Sequence, residues 1–100
     1  MNIVWRHAAQ QDLNHLFDYI LDANPRAALD TYTTIRAAVE RLADHPALGR
    51  AGRVADTREL VIAGTPYLVA YTVDQRIHAI VILRVLHGRQ NWPTELAAEE

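Results

Sequence analysis

TRELVIAGTPYLVAYTVDQRIHAIVILRVLHGRQNWP, residues 57–93, is the stretch whose reading decides the fold. It holds three runs suited to a pleated, half-buried surface: Leu60-Val61-Ile62, then Tyr67 to Val73, then Ile77 to Leu86, which is nearly all Ile, Val and Leu. Turn residues separate them, Gly64-Thr65-Pro66 in the first gap and Asp74-Gln75-Arg76 in the second. Links this short join antiparallel neighbours, because a parallel return needs about a dozen residues or more. The spacing predicts a three-strand meander. Its last strand runs into a polar and aromatic exit, His87-Gly88-Arg89-Gln90-Asn91-Trp92-Pro93, where a working surface is expected.

Upstream, Asn2 to Arg6 is a short β-prone run expected to pair with the meander. From about Ala8 the period changes: Ala9, Leu13, Leu16, Phe17, Ile20 and Leu21 share one helical face, while Asp12, Asn14, His15, Asp18 and Asp22 fall mostly elsewhere. Asn24-Pro25 punctuates, Asn as an N-cap and Pro at a position whose N–H has no helical partner. A second helix is predicted from Pro25 to about Ala43, with the stripe Ala28, Tyr32, Ile35, Val39 and Leu42. Two such helices joined by a short link form an antiparallel hairpin whose apolar stripes need the meander to cover them. Asp44 to Asp56 reads as a long loop, which in a small domain is often functional. The expectation is an α+β domain over residues 1–93, in the order β-α-α-β-β-β, with a helical hairpin on a small antiparallel sheet. A short acidic tail follows, residues 94–100.

Half of the 100 residues are apolar, enough for one small core. There is no cysteine, hence no disulfide framework and no thiolate metal site. Neither a signal peptide nor a membrane-spanning run is evident, so a cytoplasmic protein without membrane contact is expected. Residues 1–49 carry four Arg against six acids, whereas residues 50–92 carry six Arg against three. The positive charge therefore belongs to the sheet region. Every cation is Arg, which binds carboxylate and phosphate through two prongs but is a poor general base.

The candidate residues follow from that distribution. Arg84 interrupts an apolar strand; it and Arg58 either contact an anion, phosphate or a partner's carboxylate, or form ion pairs with Glu59 or Asp56. His87, at the strand end, is either a general acid or base or a hydrogen-bonded structural residue. Trp92 either stacks on a partner or closes the end of the core. Tyr67 and Tyr71 share a face and read as core or as stacking residues. The five His lack metal-ligand spacing, and no metal or cofactor is expected.

The order strand, helix, helix, meander resembles the RelE/ParE toxins of bacterial type II toxin–antitoxin modules. The resemblance rests on His45-Pro46, Gly49-Arg50, Gly52-Arg53, Thr57-Arg58-Glu59-Leu60, Gly64-Thr65-Pro66-Tyr67-Leu68-Val69-Ala70-Tyr71 and Ile82-Leu83-Arg84-Val85-Leu86-His87-Gly88-Arg89-Gln90-Asn91-Trp92-Pro93. It spans nearly the whole chain. The family implies two activities on one fold. RelE-like members cleave mRNA in the ribosomal A site with Lys, Arg and a C-terminal Tyr or His; ParE-like members poison DNA gyrase and lack that set. Here Glu59 and Val61 stand where the resemblance places two lysines, Leu68 follows Tyr67 where it places an Arg, and Trp92-Pro93 replaces the tail Tyr. One charge-stabilising donor is commonly worth about 10²–10³ in rate, so losing several argues against a nuclease. The His-Gly-x-x-x-Trp-Pro ending is similar to ParE-type and plasmid-stabilisation proteins.

The resemblance therefore implies a ParE-like toxin, not an enzyme, that inhibits growth by binding gyrase. An acidic antitoxin would neutralise it in a hetero-oligomer by wrapping the helical hairpin. Arg84, His87, Arg89 and Trp92 are the expected target-binding residues. The alternatives are a ribosome-dependent mRNA endoribonuclease using Arg58, Arg84, His87 and Arg89, and a decayed toxin that only binds antitoxin.

Overall fold

Asn24 decides how the two helices meet. Its backbone N–H donates to the Ile20 carbonyl and ends α1 (His7–Ala23), while its side-chain oxygen accepts from the Ala27 N–H at 3.1 Å and starts α2 (Pro25–Glu40). One residue thus closes one helix and caps the next, with Pro25 at the first helical position. The last turn expected of α2 is a 3₁₀ turn, Arg41–Ala43. The computed structural model describes residues 1–89; Trp92 and the tail 94–100 lie outside the described residues.

The remaining elements are β1 (Asn2–Trp5), β2 (Arg50–Ala51), β3 (Arg58–Val61), β4 (Tyr67–Asp74) and β5 (Ala79–His87). They form one sheet in the order β1-β5-β4-β3-β2. The fold is α+β, and β3, β4 and β5 form the expected antiparallel meander. The strand pairing differs from the expectation. β1 pairs with β5 in parallel, Asn2 beside Ala79 through Trp5 beside Ile82, so the sheet is mixed. The long loop also contributes β2, a two-residue edge strand on β3.

Leu13, Ile35, Val39 and Leu42 of the helical layer are fully buried against Ile62, Val69, Tyr71, Ile80 and Ile82 of the sheet layer. Fully burying one such aliphatic side chain contributes about 1.5–3 kcal/mol. The opposite face carries Ala70, Val81 and Leu83, against which Val54 of the long loop packs. β5 is therefore covered on both sides, which is why its sequence is a nearly unbroken apolar run rather than an alternation. The turn between β4 and β5 is Gln75–His78, longer than the expected Asp74-Gln75-Arg76. His78 takes φ 53° and the Arg76 N–H donates to the Asp74 carboxylate, so Ile77 lies exposed in the turn and not in the strand.

The long loop, residues 44–56, is held by side chains of the sheet, among them Tyr71, Arg58, Glu59 and Thr72, whose hydroxyl donates to the Asp56 carbonyl at 2.8 Å. Tyr71 is completely buried; its hydroxyl accepts from the Gly49 N–H at 2.9 Å and donates to the Pro46 carbonyl at 2.8 Å. Burial pushes the Tyr71 phenol up from its ordinary pKa, against the opposing pull of the Gly49 N–H and the Arg58 charge. Only glycine fits at position 49, since a Cβ there would lie 2.8 Å from the Tyr71 ring and 2.9 Å from the Glu59 carbonyl. Arg58 donates to the Gly49 carbonyl at 2.7 Å. Glu59, 3% exposed, accepts from the Arg50 guanidinium at 3.0 Å and from the Arg53 N–H at 2.9 Å. Burial raises the Glu59 pKa, but these bonds and the two Arg charges outweigh it and hold the carboxyl below its ordinary value.

Tyr71→Phe leaves the buried Gly49 N–H and Pro46 carbonyl without that partner and is expected to cost about 1–3 kcal/mol in denaturant unfolding. A carboxyl with a lowered folded pKa contributes stability that is present above its unfolded value, 4.5 for Glu59, and lost as pH falls through the folded value. Glu59→Gln is therefore expected to be less stable than the parent at neutral pH, with the gap closing on acidification below 4.5. A gap that stays constant across that window would assign the loss to packing rather than to charge.

Candidate functional site at the strand exit

The exit of β5 is built around a carboxylate from the other layer. Asp12 of α1 accepts two bonds from Arg84, Nε to Oδ2 at 2.7 Å and Nη2 to Oδ1 at 2.9 Å, and a third from the Val85 N–H at 2.9 Å. A register shift in β5 accompanies this. Ala70 faces Arg84 but Tyr71 faces Ile82, so Leu83 is an extra residue and the strand bulges where Asp12 meets it. The side chains of Arg84 and Asp12 are only 17% and 15% exposed. Arg84 thus pairs with a residue 72 positions away, and not with Glu59 or Asp56, the ion-pair alternative weighed above against an anion contact. Arg58 does not pair with them either. It is adjacent to Glu59 on β3, and successive strand residues point to opposite faces. The ion-pair partners of Glu59 are Arg50 and Arg53.

Beyond the bulge, His87 is exposed at the end of β5. Its ring meets the Tyr67 ring edge-on at 5.9 Å, and its Nδ1 accepts from the Arg89 N–H at 3.2 Å. That bond places a neutral His87 in the tautomer with its proton on Nε2. A groove of about 330 Å³ opens beside it, lined by Asp12, His15 and Tyr19 of α1 and by Tyr67, Val85 and His87 of the sheet. Two imidazoles and two phenols share this space.

Of the expected site residues, His87 meets the backbone N–H of Arg89, while Arg84, three residues back on β5, is bound to Asp12, which itself lines the groove. Arg58 is elsewhere. It pairs across the sheet with Tyr71, whereas His87 pairs with Tyr67, four residues along β4 or roughly 13 Å at the strand rise. Trp92 lies outside the described residues. His15 and Tyr19 were not expected here. Their signal was the spacing Asp12, His15, Leu16, Tyr19, a helical stripe beside the core stripe, which reads as a solvent face until the sheet is placed. Among the described residues no group of three or more His, Cys, Asp or Glu is placed to hold a metal.

Asp12 and Arg84 are expected to couple. In a double-mutant cycle with Asp12→Ala and Arg84→Ala, unfolding free energies should show an interaction of about 1–3 kcal/mol. Additive losses would mean that the pair is incidental to helix docking.

The family described as the ParE toxin of the type II toxin–antitoxin system parDE matches residues 3–92. The Y4kP protein of Sinorhizobium fredii, which carries a toxin designation, is 39% identical over 94% of this chain and 95% of its own length. Toxin RelE2 of Caulobacter vibrioides is 36% identical over 86% of this chain and 93% of its own length. A chain of the chromosomal ParDE system from P. aeruginosa superposes with a TM-score of 0.78 at 26% identity, covering 87% of this chain and 95% of that one. A chain of the RelBE2 complex from Mycobacterium tuberculosis shares the fold, with a TM-score of 0.58 at 24% identity over 86% of this chain and 95% of that one. The hairpin on a meander and the match over nearly the full length make this chain a member of the ParE toxin family, within the RelE/ParE superfamily of type II toxin–antitoxin toxins.

Proposed function

We propose that this chain arrests growth as a ParE-like toxin that binds DNA gyrase and is held inactive by a cognate antitoxin. The observation that carries the reading is the engagement of its arginines. Arg84 is bound on both prongs by Asp12, and Arg58 of β3 holds the Gly49 carbonyl of the long loop. A phosphodiester-cleaving site needs donors aimed at the phosphate in the transition state. Here the cations nearest the described exit serve the fold, with Arg89 beside His87 the exception. Glu59, at a position where the resemblance places a lysine, is an acid clamped inside the sheet edge. The remaining exposed surface, with His87, Arg89 and Tyr19, suits contact with a protein. An antitoxin partner is supported by the neighbouring solved structures, a ParDE system and a RelBE2 complex.

One observation favours a second reading. His15 and His87 line one groove with Tyr67, an arrangement capable of general acid and base work on RNA. The two readings separate in one experiment. The purified chain is added to gyrase with relaxed plasmid, and in parallel to translating ribosomes. Lost supercoiling or trapped cleavage with intact transcripts is the expected result. Unaffected gyrase with transcripts cut on the ribosome would reverse the assignment, and His87→Ala should then abolish cutting without unfolding the chain. Neither effect, with antitoxin still bound, would identify a decayed toxin.

A further inference from the structure

The main core is open at one end. Leu16 of α1 and Tyr67 of β4 pack against it yet stay only partly buried, and both line the groove beside His87. Val85, itself a core residue, lines it too. On the α1 side stands Tyr19, 79% exposed. We infer that this groove is the seat of the chain's own Trp92, whose indole closes the open end of the core. The inference concerns the chain alone and stands whichever target it binds.

The direction of the backbone points there. His87 pairs with Tyr67 across the ladder, and their rings meet on the face that looks toward α1. The Gly88 N–H still bonds the Pro66 carbonyl at 2.8 Å. The Arg89 N–H then turns onto the His87 ring and donates to Nδ1 at 3.2 Å. The backbone therefore leaves the sheet bent toward the groove. Reach agrees with direction. Trp92 follows Arg89 by three residues, a span of about 10 Å when extended, and His87, two residues before Arg89, already lines the groove. Pro93 biases Trp92 toward extended backbone, which uses that reach. The stretch that matches the ParE toxin family runs to residue 92, so this segment belongs to the domain.

The chemistry of the walls selects the side chain. Leu16, Tyr19, Tyr67 and Val85 present aliphatic and aromatic surface around a space of about 330 Å³, at the small end for a ligand pocket and enough for one large side chain. An indole buries about 150–250 Å² and, when buried, usually donates its N–H. Asp12 lines the groove and accepts three bonds, whereas a carboxylate offers about four lone-pair sites, so an acceptor remains for that N–H. The seat asks nothing of the His87 nitrogens, which are already engaged. After Arg89 the other large aliphatic residue is Leu96, which lies farther along and carries no side-chain donor. Seated in the groove, Trp92 serves the fold, one of its two readings from the sequence, instead of stacking on a partner.

The chain has two tryptophans, Trp5 and Trp92, so in a Trp5→Phe background fluorescence reports Trp92 alone. The folded chain should show blue-shifted emission and acrylamide quenching several-fold weaker than the same chain in denaturant. Removing the α1 wall with His15→Ser/Tyr19→Ser should bring quenching most of the way to the denatured value. Both residues are exposed, and circular dichroism verifies that this variant folds. Followed by the same dichroism, Trp92→Ala should lower the denaturation midpoint when the wall is intact and change it little when the wall is gone, the coupling expected of groups in contact. A Trp92 as open to acrylamide in the folded chain as in denaturant would overturn the inference. Shielding that survives loss of the wall would put the ring elsewhere and overturn it as well. Shielding that fades on dilution, as a dimer dissociates, would give the groove to Trp92 of a second copy and overturn closure within one chain.

Discussion

The carboxylate of Asp12 joins the two layers of this molecule. It reaches from the helical layer to the bulge at Leu83, where it accepts a backbone N–H and both prongs of Arg84. Apolar burial is not directional and does not by itself fix how a helix sits along a sheet. Three hydrogen bonds to one carboxylate do. They set the register of α1 against β5, and they fix the wall of the groove in which His15 faces His87. The same contact neutralises the arginine that a phosphate-cleaving site at this exit would need. One interaction therefore places the surface and narrows its chemistry.

A second set of bonds governs the loop before the meander. Tyr71, Arg58 and Glu59 all reach it from the sheet, at Gly49, Pro46, Arg50 and Arg53. A loop of this length in a small domain is expected to be a mobile functional segment. Here it is tied to the fold at both backbone and side-chain level, and Val54 covers the outer face of the sheet. Its arginines are displayed from a fixed base.

The hairpin and the meander were legible because both rest on local patterns. Ala9, Leu13, Ile35 and Val39 recur at helical spacing and are buried, and Asn24-Pro25 marks the joint correctly. Tyr67, Val69 and Tyr71 alternate and pack in the same core. What was not legible depends on register between distant elements. The Asp12–Arg84 pair spans 72 positions and needs the bulge at Leu83, which no period announces. The partners of Glu59 depend on the two-residue strand at Arg50, too short to leave a pattern. Ile77 reads as strand by its side chain, yet the backbone at His78 turns left-handed and leaves it outside. The groove was half visible: His87 stood at a strand end, but His15 and Tyr19 belong to it only once α1 is laid against the sheet.

The Glu59 clamp also bears on how the chain can evolve. Arg50 and Arg53 converge on that buried acid from the exposed loop, so a Glu59→Lys change would set a third positive charge beside two others at a buried position. An unpaired charge in such a position is strongly destabilising. The clamp thus ties the identity of residue 59 to that of the loop, so that a basic side chain there calls for compensating changes at Arg50 and Arg53.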